Sequence, residues 1–121
     1  MALKKMFQRL TASVSDLDRE SLRTFCSTVP GTMSIGDVKA RDEVKVAGEI
    51  SSVRIVPRID GSPWLEATLT DGTGSLVAMW TGRKRIAGIR PGQRLVLIGR
   101  GSPKGPGGRL VIYNPRYELL G

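Results

Sequence analysis

Arg54, Arg58, Arg100, Lys104 and Arg109 flank short apolar runs, and the rings of Trp64 and Tyr113 stand among them. Cations spaced in this way can neutralise a row of phosphates, and a flat ring beside them can stack a base. The charge distribution supports that chemistry. Residues 1–71 hold ten Lys/Arg and ten Asp/Glu, whereas residues 72–121 hold nine Lys/Arg against the single acid Glu118, so the whole formal charge of +8 lies in the last fifty residues. These cations alternate with glycines and with runs such as Leu95-Val96-Leu97-Ile98 and Leu110-Val111-Ile112-Tyr113. That is the pattern of a folded sheet with a positive face rather than of a basic tail, and nucleic acid is the first partner it implies.

Enzymatic chemistry has little to work with. There is no histidine, so the commonest general base is missing, and the one cysteine, Cys26, falls on the apolar face of a helical segment, where it fills space. One thiol and no imidazole leave a transition metal almost without ligands, and preclude an internal disulfide. Asp60, Glu66 and Asp71 are the alternative metal cluster, but Asp60 and Asp71 each precede a glycine in a turn, where a carboxylate caps nearby backbone N–H groups. The expectation is no enzyme, no metal and no cofactor. No window of about eighteen apolar residues occurs, and Lys4, Lys5, Gln8 and Arg9 interrupt the opening apolar residues, so the sequence reads as cytoplasmic with no integral membrane segment.

The elements that must position these side chains change type along the chain. Leu3, Met6, Phe7 and Leu10 stand at i, i+3, i+4 and i+7, predicting a short amphipathic helix over residues 2–10 that either packs on the domain's own core or docks a partner. A second helix is predicted from Ser15 or Asp16 to about Thr28, with Leu17, Leu22, Phe25 and Cys26 on its apolar face, ended by Pro30-Gly31. From Val44 the period becomes two. Val44, Val46, Gly48 and Ile50 share one phase and Val53 and Ile55 the other, which predicts one long strand with a bulge near Gly48 or Ser51-Ser52. A turn-rich segment, 57–63, precedes a strand over 65–69, the turn Asp71-Gly72-Thr73-Gly74 and a returning strand over 76–80. Residues 82–89 read as one helical turn or a loop, and strands over 94–99 and 110–113 enclose the Gly/Pro-rich loop 101–108.

Five strands, the first long and bulged, are the parts of an all-β protein with an N-terminal helical extension: a five-stranded Greek-key barrel, the OB-fold, with an SH3-like barrel as the competitor. The division is a helical extension, 1–32, and a barrel, 33–121. Gly48 and Gly99 suit the sharp bends that closure requires.

Ser34-Ile35-Gly36-Asp37-Val38 leading into Val44-Lys45-Val46-Ala47-Gly48-Glu49-Ile50, the hairpin around Asp71-Gly72-Thr73-Gly74, Pro91-Gly92-Gln93-Arg94-Leu95-Val96-Leu97-Ile98-Gly99 and Asn114-Pro115-Arg116-Tyr117-Glu118 resemble the OB-folds of the anticodon-binding type. They look most like the wedge domain of the branched-DNA helicase RecG. The resemblance covers about residues 33–120, and the whole chain looks like the small stand-alone OB proteins of high-GC bacteria. It implies nucleic-acid binding. It carries over no motor, because the Gly-x-x-x-x-Gly-Lys-[Ser/Thr] phosphate loop is absent.

In such folds the ligand crosses strands 2 and 3 between the first and last loops. Here those loops, 57–63 and 101–108, carry Arg58 and Lys104, with Arg54, Arg100 and Arg109 on adjoining strand ends. The glycines of 101–108 either leave N–H groups open to phosphate or form a solvated turn. Alternation puts Trp64 out of phase with Leu65, Ala67 and Leu69 at the mouth of the loop, whereas Trp80 reads as core and Tyr113 fits either side. Arg83, Lys84 and Arg85 form an auxiliary basic patch expected at the bottom of the barrel. The function expected is non-catalytic binding of single-stranded or branched DNA or RNA. The alternative is an assembly module that docks a protein partner, or a second copy of itself, through residues 2–10 or the basic surface.

Overall fold

The computed structural model describes residues 16–102 and 108–121; the predicted helix over 2–10 and Lys104 lie outside them. Helix α1 spans residues 16–27, as the second apolar stripe requires. A 3₁₀ turn, Ile35–Asp37, follows, and then β1 (Glu43–Pro57), β2 (Pro63–Thr70), β3 (Ser75–Thr81), β4 (Arg94–Ser102), β5 (Val111–Tyr113) and β6 (Arg116–Leu120).

The sheet closes into a ring because β1 is long enough to pair twice. Its first half, Glu43 to Glu49, runs antiparallel to β4, and its second half pairs with β2. The register shifts between Ile50 and Ser52, so Ser51 is the extra residue that turns the strand round the corner. Gly48 sits at the same bend, where a Cβ would come within 2.7 Å of Leu69 Cγ and 2.8 Å of the Thr70 carbonyl oxygen, so only glycine fits. β2 pairs antiparallel with β3, β3 parallel with β5, and β5 antiparallel with the end of β4.

Alternation along each strand then decides what is inside. Val46, Ile50, Leu65, Ala67, Leu69, Leu76, Ala78, Trp80, Leu95, Leu97 and Ile112 form one buried cluster within the ring. Trp80 is core, as its phase with Leu76 and Ala78 implies, and its indole N–H donates to the Pro115 carbonyl at 3.3 Å.

Two expectations are corrected. Among the described residues the strands number six, because Pro115 offers no N–H to the ladder and Asn114 takes a positive φ of 50°; after this break the chain rejoins β4 along Arg94 to Ile98 as β6. Of the two readings of residues 82–89, the structure has the loop. Gly88 takes a φ of 81°, and Ile86 and Ile89 reach into the core from irregular backbone. Leu17, assigned to the apolar face of α1, is 63% exposed.

α1 packs outside the ring, with Leu22 and Cys26 on Ala47 of β1 and Val96 of β4, joined by Phe25, Val29, Ile98 and Leu120. Burial pushes the Cys26 thiol up, and the nearby Asp71 carboxylate adds to the effect. Native protein is therefore expected to react with Ellman's reagent near pH ~8 much more slowly than the urea-unfolded chain. Equal rates would mean that α1 leaves the ring readily.

Candidate nucleic-acid interface

The outer faces of β1 after its bulge, β2, β3 and β5 form one surface. Register places Arg54 opposite Glu66, Glu66 opposite Met79 and Met79 opposite Tyr113, a row across four strands that spans about 14 Å at ~4.8 Å per strand. The next row holds Val56, Trp64 and Thr81. Trp64 is half-buried on Val77, Met79 and Val111, and meets Tyr113 edge to face with ring centres 6.1 Å apart. Tyr113 is 48% exposed, which settles its direction as outward.

The cations around these rings differ in what they hold. The Arg58 guanidinium carbon lies 3.9 Å from the centre of the Trp64 ring, a cation–π contact that covers one face of the indole. A base reaching that face must displace Arg58 or stack on its guanidinium plane. Arg54 Nε donates to Glu66 Oε2 at 3.0 Å, and the Glu66 side chain is only 6% exposed, so a buried carboxylate fixes this arginine. Arg100 lies on the far side of Tyr113 from Arg54: it precedes Gly101, the partner of Ile112, and its Nη1 donates to the Arg41 carbonyl at 2.7 Å. Arg109 is half-buried just before β5.

Arg83, Lys84 and Arg85 are exposed. The Gly82 N–H donates to the Pro63 carbonyl at 2.9 Å, so this basic run leaves the sheet beside the start of β2, at the end that carries the 58–62 turn. Antiparallel pairing of β2 and β3 dictates that placement, in place of a position remote from the binding face. Between Trp64 and the turn lies an open hollow of about 540 Å³ lined by Pro57, Arg58, Ile59, Asp60 and Trp64. A larger hollow, about 660 Å³, lies beside α1 between Phe25, Arg90 and Leu120, but its Arg94 is paired with Glu49 at 3.3 Å and stacked on Phe25.

Asp60 and Asp71 do the turn work expected of them. The Ser62 hydroxyl and backbone N–H donate to Asp60 Oδ1 at 2.7 and 2.9 Å and hold its carboxyl below the usual carboxylate range. The brace is thus present at neutral pH and is lost only as acid protonates Asp60. Among the described residues no three His, Cys, Asp or Glu side chains come together as a metal site, and no helix is long and apolar enough to cross a membrane.

Sequence reasoning missed Glu66 as the residue that orients Arg54, the wholly exposed Ile59 at the turn, and Arg41. Strand alternation carried a signal for the first, since Arg54 and Glu66 both fall on the outward phase once the bulge is placed at Ser51. No local signal exists for Arg41.

No curated protein matches the chain. Among solved structures, RecG bound to a three-way DNA junction aligns with 74% of this chain at 20% identity and TM-score 0.57, the match spanning 12% of that longer chain. The second OB-fold domain of replication protein A from Methanococcus maripaludis aligns with 74% of this chain and 94% of its own length, at 15% identity and TM-score 0.55. At these identities the likeness speaks for the fold. The family described as "OB-fold nucleic acid binding domain" matches residues 44–120, from the start of the closed ring to the end of β6. Ring closure through β1, the outward aromatic pair and this match over most of the chain lead to one assignment: the chain belongs to the OB-fold nucleic acid binding domain family.

Proposed function

We propose that this protein binds single-stranded or branched nucleic acid without catalysis, laying bases across the outer faces of β2, β3 and β5. The observation that carries the reading is the Trp64–Tyr113 edge-to-face pair, with Arg58 over the indole. Stacking rings beside cations are what an unpaired strand needs, and a closed duplex hides the base faces such rings would meet. Arg58, Arg100, Lys104 and Arg109 take phosphates, Arg54 does so from its seat on Glu66, and Arg83 to Arg85 extend the track past the 58–62 turn. The RecG and replication protein A likenesses agree with this reading at the level of the fold.

Fluorescence anisotropy with labelled single-stranded DNA, single-stranded RNA, duplex and a forked junction tests it. Neutralising about five phosphates on a single strand predicts a log–log salt slope near −3.5, from roughly −0.7 per contact, with single-stranded or forked forms preferred over duplex. Weak binding that vanishes with salt and is alike for every form would reject the proposal.

One observation favours a second reading, an assembly module. Ile59 is fully exposed at the tip of the turn, an apolar projection suited to a protein partner. Ile59→Ser tests docking through this projection, and removing residues 1–15, which leaves α1 in place, tests docking through residues 2–10; nucleic-acid affinity survives both changes, whereas the corresponding docking does not.

A further inference from the structure

We infer that the turn at residues 39–42, locked to the end of β4, is a second phosphate-binding rim of the same interface, with Arg41 as its principal cation and Lys39 and Arg100 beside it. The inference rests on the nucleic-acid reading above. It begins from backbone strain. Two non-glycine residues among those described take a positive φ, Asn114 at 50° and Arg41 at 73°. Asparagine tolerates that region, and Asn114 uses its side chain there, accepting the Thr81 N–H at 3.0 Å. Arginine has no such suitability. The Asp42 N–H donates to the Lys39 carbonyl at 3.2 Å, closing a turn whose third position, with a φ like this, ordinarily takes glycine or asparagine.

The strained residue is held from both sides. The Arg41 N–H donates to the Gly101 carbonyl at 2.7 Å, the Gly101 N–H to the Asp42 carbonyl at 3.0 Å, and Arg100 Nη1 to the Arg41 carbonyl at 2.7 Å. A Cβ on Gly101 would stand 3.5 Å from the Lys39 carbonyl oxygen, so the turn lies directly against β4. Three cations are thereby gathered where β4 passes Val111 and Ile112, next to Tyr113 in the chain. Among the described residues none of the three has a carboxylate within ion-pair distance, although Glu43 stands opposite Arg100 in the ladder. Asp42 of the same turn and Glu43 after it are exposed and form no ion pair with these cations among the described residues, so the guanidinium groups of Arg41 and Arg100, which match phosphate geometry, stay open to an anion. A strand stacked on Tyr113 meets this rim next, which carries its backbone from β5 across to β4.

Arg41→Gly and Arg41→Asn in the full chain separate binding from folding, because both residues accept a positive φ. Each variant is expected to keep or raise the Tm by a few degrees. Each is also expected to raise the single-strand Kd roughly tenfold and to make the salt slope shallower by about 0.7, while Arg41→Lys retains the slope. An unchanged Kd and slope beside a wild type that binds would overturn the rim alone. A Tm that falls in step with affinity would assign Arg41 a structural role and overturn it equally. A wild type that binds no nucleic acid would remove the rim together with the reading beneath it.

Discussion

Tyr113→Ala is expected to weaken single-strand binding by ~1–3 kcal/mol, roughly a five- to 150-fold rise in Kd, with little change in stability. The ring is 48% exposed and meets Trp64 only by its edge, so the core cluster of the ring does not depend on it. Tyr113→Phe keeps the π face and is expected to bind as the wild type does. Trp64→Ala should lose comparable affinity but also stability, because the indole covers Val77, Met79 and Val111. Anisotropy titrations paired with thermal melts separate these effects. An unchanged Kd in Tyr113→Ala would remove that ring from the interface.

Asp71→Ala carries the largest expected effect on stability, ~3 kcal/mol or more of a total that for such a domain is about 5–15 kcal/mol. The side chain is buried. Its Oδ2 accepts the Ile35 N–H at 2.8 Å, and its Oδ1 accepts the Thr73 N–H at 2.9 Å and the Thr73 hydroxyl at 2.6 Å. One carboxylate therefore closes the β2–β3 turn and ties it to the 3₁₀ turn before β1. Alanine would leave the Ile35 N–H buried without an acceptor. Asn retains one acceptor oxygen, so Asp71→Asn should retain about half of the lost stability. Urea denaturation midpoints measure both variants, and a loss below ~1 kcal/mol for alanine would mean that the turn is braced by other groups.

Much of this site was legible before the structure. The change of phase between Ile50 and Val53 narrowed the bulge to Gly48 or Ser51-Ser52, and alternation against Leu65, Ala67 and Leu69 put Trp64 at the boundary by the mouth of the loop. The Asp-Gly-Thr-Gly turn foretold a capping carboxylate. Sequence could not give the second bond of Asp71, to Ile35 thirty-six positions away, because that contact depends on how the ring closes. β6 was missed for a local reason: a break at Asn114-Pro115 conceals the return of the chain to the same edge of β4.

The sequence by itself determined the helix over 16–27, the buried phase of β2, β3 and β4 and the excess of positive charge, because side-chain period and composition are local properties of the chain. Only the tertiary structure decided which cations share a surface and what each one holds. Arg54 meets Glu66 through cross-strand register, Arg58 meets Trp64 across a turn, and Arg100 meets Arg41 over fifty-nine positions. Those pairings follow from one bulge at Ser51 and from double pairing by β1, which set the register of β2 and β4 against it. A one-residue slip there would leave composition unchanged and turn the interface inward.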